Sequence, residues 1–413
     1  MINNFIQKIQ PYIIYSLIFS IFLIEKIKYK SLSIYEVIFL ILLIISINKI
    51  FKFNFKDLLK IENLALIFFI ILILCKYFFY NDYLYSVLVM TFLLTTYFLF
   101  LFLITNDGQK KITYYNLKNG FKLIYIFSAM MVLIFYALKT FGFLFEDFWY
   151  VREDIFPYLN YVTTHFKGFY SSYNYQAYIM IPGYFYILET TFLKNKKIYL
   201  ILFLIVSFIV FFIIKAKVLF LLIILTFFYL LNNYIQFNKF LFYSFLLIGF
   251  LAYVSLSHFI PTKIEMIGDE YKHYFTDSPI LILDNFFIYG SLFYKIKLLI
   301  FQNIEFFNLV PPNRDFYLEH NIEPHSIYFL LIYNYGISTL FCFLLFSINI
   351  FKKFNFLFFE KKYKTLLVDF SIFSLFLIEG FNQDINSYRF FWISTSMFVG
   401  LIYININNMK FKH

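Results

Sequence analysis

Runs of predominantly apolar residues take up most of this chain, and short lysine-bearing connections separate many of them. The runs lie near 9–25, 32–48, 64–80, 83–104, 121–143, 176–193, 198–214, 218–233, 240–258, 326–350, 365–379 and 390–407. A helix needs roughly 20 apolar residues to cross about 30 Å of hydrocarbon. A chain inside hydrocarbon must also satisfy its own backbone, which a helix does by itself. The apolar residues form continuous runs rather than alternating faces. The expected class is therefore an all-α polytopic membrane protein of about 12 transmembrane helices, one integral membrane domain over 1–413. Composition agrees, because only 14% of the 413 residues are charged, where a soluble domain carries about a quarter. The first run, Pro11 to Ile24, has no small-residue cleavage site and reads as a retained helix.

The formal charge of +11 invites a nucleic-acid reading, but most lysines sit in short loops beside apolar runs. That placement is a topology signal, and it argues against a nucleic-acid face. With both termini in the cytoplasm, about 20 of the 35 basic residues fall on inner segments, against about 5 of the 24 acids. The connection Glu25 to Lys30, with three lysines outside, runs against the rule. Two long polar stretches, about 144–175 and 259–325, then form outward loops. The chain carries no clear internal repeat of the kind transporters built from two halves display. Cys75 and Cys342 both lie inside apolar runs and suggest neither a disulfide framework nor a metal knuckle.

Several charges break the pattern. All three arginines, Arg152, Arg314 and Arg389, fall on the outer side. A guanidinium fork grips phosphate oxygens in pairs, whereas interfacial anchoring or ion pairing is the plainer role. Lys215 and Lys217 form a tight outer turn between the seventh and eighth runs. They read either as snorkelling lysines or as a cationic site at headgroup depth. Asp369 lies in the eleventh run, close to Lys364, and is open to both an intramembrane role and an interfacial one.

Of the six histidines, His325 has the most telling context, Glu323-Pro324-His325-Ser326. The large polar stretch ends there and an apolar run begins. Pro324 suits a first helical turn, Ser326 can bond locally, and an imidazole can accept a proton near neutral pH. His320 and His325 with Glu319 and Glu323 do not match a zinc spacing, so no metal is assigned.

The segment His325-Ser326, nine residues, Gly336, two residues, Thr339 resembles the signature of the O-antigen ligase and O-antigen polymerase superfamily. That signature is His and Asn, Ser or Gln, nine residues, Gly, two residues, then Gly, Thr or Tyr. A looser likeness covers Gly168 and Asn174 before the sixth run, where His165 stands in place of the family's Arg. Lys215-Ala-Lys217 occupies the place of the family's Ser-Arg-Gly. The resemblance implies a metal-independent glycosyltransferase with a C-type membrane fold, needing no cofactor, in the bacterial cytoplasmic membrane with its active site facing outward. The donor would be a glycan on undecaprenyl pyrophosphate. The acceptor would be a lipid-linked repeat unit for a polymerase or lipid A core for a ligase, and a chain-length regulator is an implied partner. By that analogy His325 would deprotonate the acceptor hydroxyl, and Lys215, Lys217, Arg152, Arg314 and Arg389 would serve the pyrophosphate. Polymerase is the first reading and ligase the second. A transporter or flippase is the alternative from another class.

Overall fold

The structure, a computed structural model, describes residues 2–22, 28–29, 32–50, 59–80, 84–143, 145, 148–156, 159–166, 168, 173–193, 197–214, 218–235, 237–258, 328, 331, 337–361, 363–380 and 389–410. Twelve α-helices occur among them. They are α1 (Ile2–Phe22), α2 (Ile34–Ile50), α3 (Ile61–Tyr80), α4 (Leu84–Asp107), α5 (Ile112–Thr140) and α6 (Tyr173–Leu193). The rest are α7 (Lys197–Ile214), α8 (Val218–Ile235), α9 (Lys239–His258), α10 (Ile337–Asn355), α11 (Leu366–Glu379) and α12 (Arg389–Lys410). Each falls on one of the apolar runs. Among the described residues, five stretches are long and apolar enough to cross a membrane: Leu88–Asp107, Ile112–Thr140, Lys197–Ile214, Ser338–Glu360 and Arg389–Met409.

Two antiparallel hairpins accompany the helices among the described residues. The short pair β1 (Lys28–Tyr29) and β2 (Leu32–Ser33) lies between α1 and α2. The longer pair, β3 (Trp149–Phe156) and β4 (Leu159–Phe166), forms most of the first long polar stretch and pairs Trp149 with Phe166 through to Phe156 with Leu159. Strand-forming residues explain it: β4 reads Leu-Asn-Tyr-Val-Thr-Thr-His-Phe, rich in aromatic and β-branched types. The second stretch, 259–325, lies outside the described residues.

Polarity sorts the helices into inner and outer positions. α7 is strongly apolar, and only 28% of its span is buried. It exposes Ile198, Leu202, Ile205, Ile209 and Phe212, a stripe at helical spacing. α12 carries Ser394, Thr395, Ser396 and Asn405, and 89% of its span is buried. α6 and α11, which bear Gln176, Glu189, Asp369 and Glu379, are likewise enclosed. Polar side chains cost least where protein surrounds them, so these helices form the centre and the most apolar helix faces outward.

Small residues set the closest approaches. A Cβ added at Gly400 of α12 would come 2.6 Å from Ile104 Cγ2 of α4, and one at Gly120 of α5 would come 3.2 Å from Ile18 of α1. At Gly183, beside Pro182 in α6, an added Cβ would strike the Phe121 carbonyl oxygen of α5 and lie 2.6 Å from Tyr125 Cβ. The obstruction at Gly183 is backbone, so it cannot rotate away.

α11 and α12 run antiparallel. Phe376 meets Phe390, while further along Phe370 meets Phe398, across α11 and α12. The bundle therefore has two chemically distinct ends. Lys60, Lys118, Lys353 and Lys364 gather at one, the lysine end, as the charge pattern of the loops anticipates. The β3–β4 hairpin and the start of α12 mark the other, the hairpin end. Replacing Gly183 with Ala should lower thermal stability in detergent by about 1–3 kcal/mol, the usual range for overpacking. An unchanged unfolding midpoint would mean that α5 and α6 do not approach at this glycine.

Candidate functional site

Buried carboxylates met by tyrosine hydroxyls from neighbouring helices are the recurring polar unit of the bundle. At the hairpin end, Glu379 in the last turn of α11 is fully buried and accepts a 2.8 Å hydrogen bond from Tyr178 Oη of α6. The adjoining carbonyl of Leu377 accepts 2.7 Å from Tyr328 Oη. Arg389, the first residue of α12, pairs through Nη2 with Glu36 in the first turn of α2. Its guanidinium lies 5.0 Å from the Tyr35 ring centroid, and its Nε is buried without a hydrogen-bond partner among the described residues.

The approach to α6 is shaped locally. Gly168 has φ of 61°, a left-handed conformation that favours glycine, and packs against Gln176 of α6. Below the hairpin, Phe135 stacks on Phe148 with ring centroids 4.3 Å apart, and Lys139 Nζ lies 4.3 Å from the centroid of the Trp149 ring. These contacts fix β3 and β4 to the end of α5.

A second polar centre lies at the lysine end. Asp369 of α11 is 2% exposed, and its two oxygens take separate donors. Tyr186 Oη of α6 donates to Oδ1 at 2.7 Å, and Tyr114 Oη of α5 donates to Oδ2 at 2.9 Å. Beside them Lys118 of α5 pairs with Glu189 of α6. Lys118 Nζ lies 5.2 Å from the Tyr186 ring centroid and 5.9 Å from that of Tyr114. Lys111, just before α5, has φ of 49°, while Asp107 Oδ2 caps that helix by accepting the Thr113 amide at 2.6 Å. Burial pushes the Lys111 ammonium below the usual lysine range, and Asp369 acts in the opposite direction.

The residues singled out from sequence meet different outcomes. Asp369 is buried within the protein, at the lysine end of the bundle. Thr339 is buried, and its hydroxyl donates to the Leu331 carbonyl at 3.0 Å. Arg389 makes the ion pair that is the plainer of its two sequence readings, with Glu36 as partner. Arg152 stands on β3 opposite Thr163, and Asn174 is the second residue of α6. Lys215, Lys217, Arg314, Glu323, His325, Ser326 and Gly336 lie outside the described residues. Tyr328 and Leu331, between His325 and Thr339 in sequence, are described and connect that segment to α11 and α10.

Sequence reasoning missed Tyr178 with Glu379, Arg389 with Glu36, and Lys118 with Glu189. The available signal was an acid next to or inside an apolar run, which each of these glutamates is. No group of three or more histidine, cysteine or acidic residues suited to a metal occurs among the described residues. No protein-family model, curated protein or solved structure matches the chain.

Asp369→Ala removes the acceptor for two buried hydroxyls, each worth about 1–3 kcal/mol when left unmet. Asp369→Asn keeps one acceptor oxygen. Thermal unfolding should rank the wild type above Asp369→Asn and that variant above Asp369→Ala. A wild-type midpoint for Asp369→Ala would remove Asp369 from the packing of α5, α6 and α11.

Proposed function

We propose that this chain crosses a bacterial cytoplasmic membrane twelve times, with the hairpin end outward, and polymerises undecaprenyl-pyrophosphate-linked oligosaccharide repeat units by inverting glycosyl transfer. The observation that carries the reading is the His325-Ser326 signature with Gly336 and Thr339 at their required spacing. The surroundings support it. Thr339 is held inside the bundle by its hydroxyl, and Tyr328, three residues past His325 in sequence, is tied to the hairpin end of α11 beside Glu379. The lysines at the opposite end support the orientation.

In this reading His325 accepts the proton of an acceptor sugar hydroxyl as its oxygen attacks the anomeric carbon of the donor. The bond from that carbon to the pyrophosphate oxygen breaks, and undecaprenyl pyrophosphate leaves with the bonding electrons. Direct displacement inverts the anomeric configuration. Lys215, Lys217, Arg152 and Arg314 serve the charge on the leaving group. Arg389 joins them only by exchanging Glu36 for the substrate. Glu323 and Ser326 flank the base, and Gly168 and Asn174 belong to the approach from the hairpin into α6.

His325→Ala, produced at the wild-type level in cells, should abolish long-chain polysaccharide; normal chain length would sink the catalytic role. A strain lacking the protein should carry core glycolipid bearing a single repeat unit. Long chains accumulating on the lipid carrier would instead identify ligation to lipid A core, and altered solute uptake with unchanged glycans would identify a transporter.

A further inference from the structure

The hairpin end of α5 carries an apolar turn that the proposed transfer does not use. The helix closes on a left-handed residue, Gly142, with φ of 88°. The Gly142 amide donates to the Lys139 carbonyl at 3.0 Å, and the Phe143 amide donates back to the Leu138 carbonyl at 2.9 Å. This pair of bonds is the Schellman closure of a helix, and it fixes the backbone on either side of the glycine. The residues it fixes are both phenylalanines, and both are exposed, Phe141 by 78% and Phe143 by 62%. Further on, Phe145 meets Phe135 of α5 with ring centroids 5.6 Å apart, and Phe148 stacks on the same ring. The turn is thus tied to α5 on one side and presents two aromatic rings on the other.

Position says what covers those rings. An exposed apolar stripe runs along α5 through Leu123, Ile126, Met130 and Ile134 at helical spacing, and Phe141 continues it. Lys122, one turn past Lys118, precedes the stripe at the lysine end. From Lys122 to Phe141 the chain rises about 28 Å along the helix axis. That rise is close to the roughly 30 Å of hydrocarbon in a bilayer. The stripe therefore ends, at Phe141 and Phe143, where acyl chains give way to headgroups. Lys139 fits the same boundary, because its Nζ lies 4.3 Å from the centroid of the Trp149 ring, which covers the charge at that depth. Glu146 and Asp147 follow at once in the sequence, so the apolar surface stops there.

We propose that Phe141 and Phe143 form a membrane anchor, with their rings among the acyl chains of the leaflet at the hairpin end, holding the base of β3–β4 at headgroup depth. The anchor does not depend on the glycosyl transfer proposed above. The full chain is reconstituted in phosphatidylcholine nanodiscs with photoreactive benzoylphenylalanine in place of Phe141, Phe143 or Phe148 in turn, and the adducts are identified by mass spectrometry. The probe at Phe141 or Phe143 should give lipid adducts at roughly ten times the yield at Phe148, in line with the preference of a phenylalanine side chain for an apolar phase. The probe at Phe148 should crosslink within the protein. Adducts from Phe141 and Phe143 confined to the protein would mean that another part of the chain covers the rings, and an absence of adducts would place them in water. Either result overturns the proposal, as does an equal lipid yield at Phe148. The double variant Phe141→Ser, Phe143→Ser should speed amide hydrogen exchange along β3 and β4 in nanodiscs, and unchanged exchange would overturn the holding role.

Discussion

A carboxylate enclosed by hydrocarbon and protein has to find its donors within the protein, and this bundle is organised around that demand. Glu62, Glu189, Asp369 and Glu379 are all buried. Each receives at least one donor from a different helix: Tyr403 and Lys353, Lys118, Tyr114 with Tyr186, and Tyr178. Tyrosine suits the role because its ring packs as an apolar body while its hydroxyl donates. An uncompensated charge at these positions would cost several kcal/mol. The bonds therefore select one arrangement of α5, α6 and α11 among the many that apolar packing alone would permit.

The same demand divides the helices by position. α6, α11 and α12 carry the polar groups and are enclosed, whereas α7 turns a continuous apolar stripe outward. Interleaved aromatic rings fill the lysine end, where Phe354 lies on Phe370 with centroids 3.9 Å apart and planes inclined by 11°. Close stacking of this kind adds to area burial. It also seats α10 against α11 where α10 passes into the π-helical turn Phe356–Glu360.

The helices were largely legible because run length is a property of local sequence, and a span announces itself without reference to its neighbours. The lysine end was legible for a similar reason, since loop charge is counted locally. Pairing was not. Nothing in the sequence near Glu189 says that Lys118, 71 positions earlier, is its partner. Asp369 drew notice as an acid inside a run, whereas Glu379 at a run's edge drew none. The β3–β4 hairpin was hidden because Arg152, Glu153 and Asp154 make β3 look like a solvated loop. Of the candidate site, Thr339 and Arg389 could be followed into three dimensions, and the partners of both are long-range or cross-element contacts that spacing does not encode.

α11 has a further consequence for how the protein enters the membrane. It has 14 residues, about 21 Å of helix, and carries a carboxylate near each end. At this length it falls short of the roughly 20 residues that cross a bilayer. Its donors lie on α5 and α6, which precede it in the chain and leave the ribosome first. The hydroxyl donors that Asp369 and Glu379 need are therefore available only once α5 and α6 are in place, so the bundle's centre is completed by a segment whose buried carboxylates depend on earlier helices.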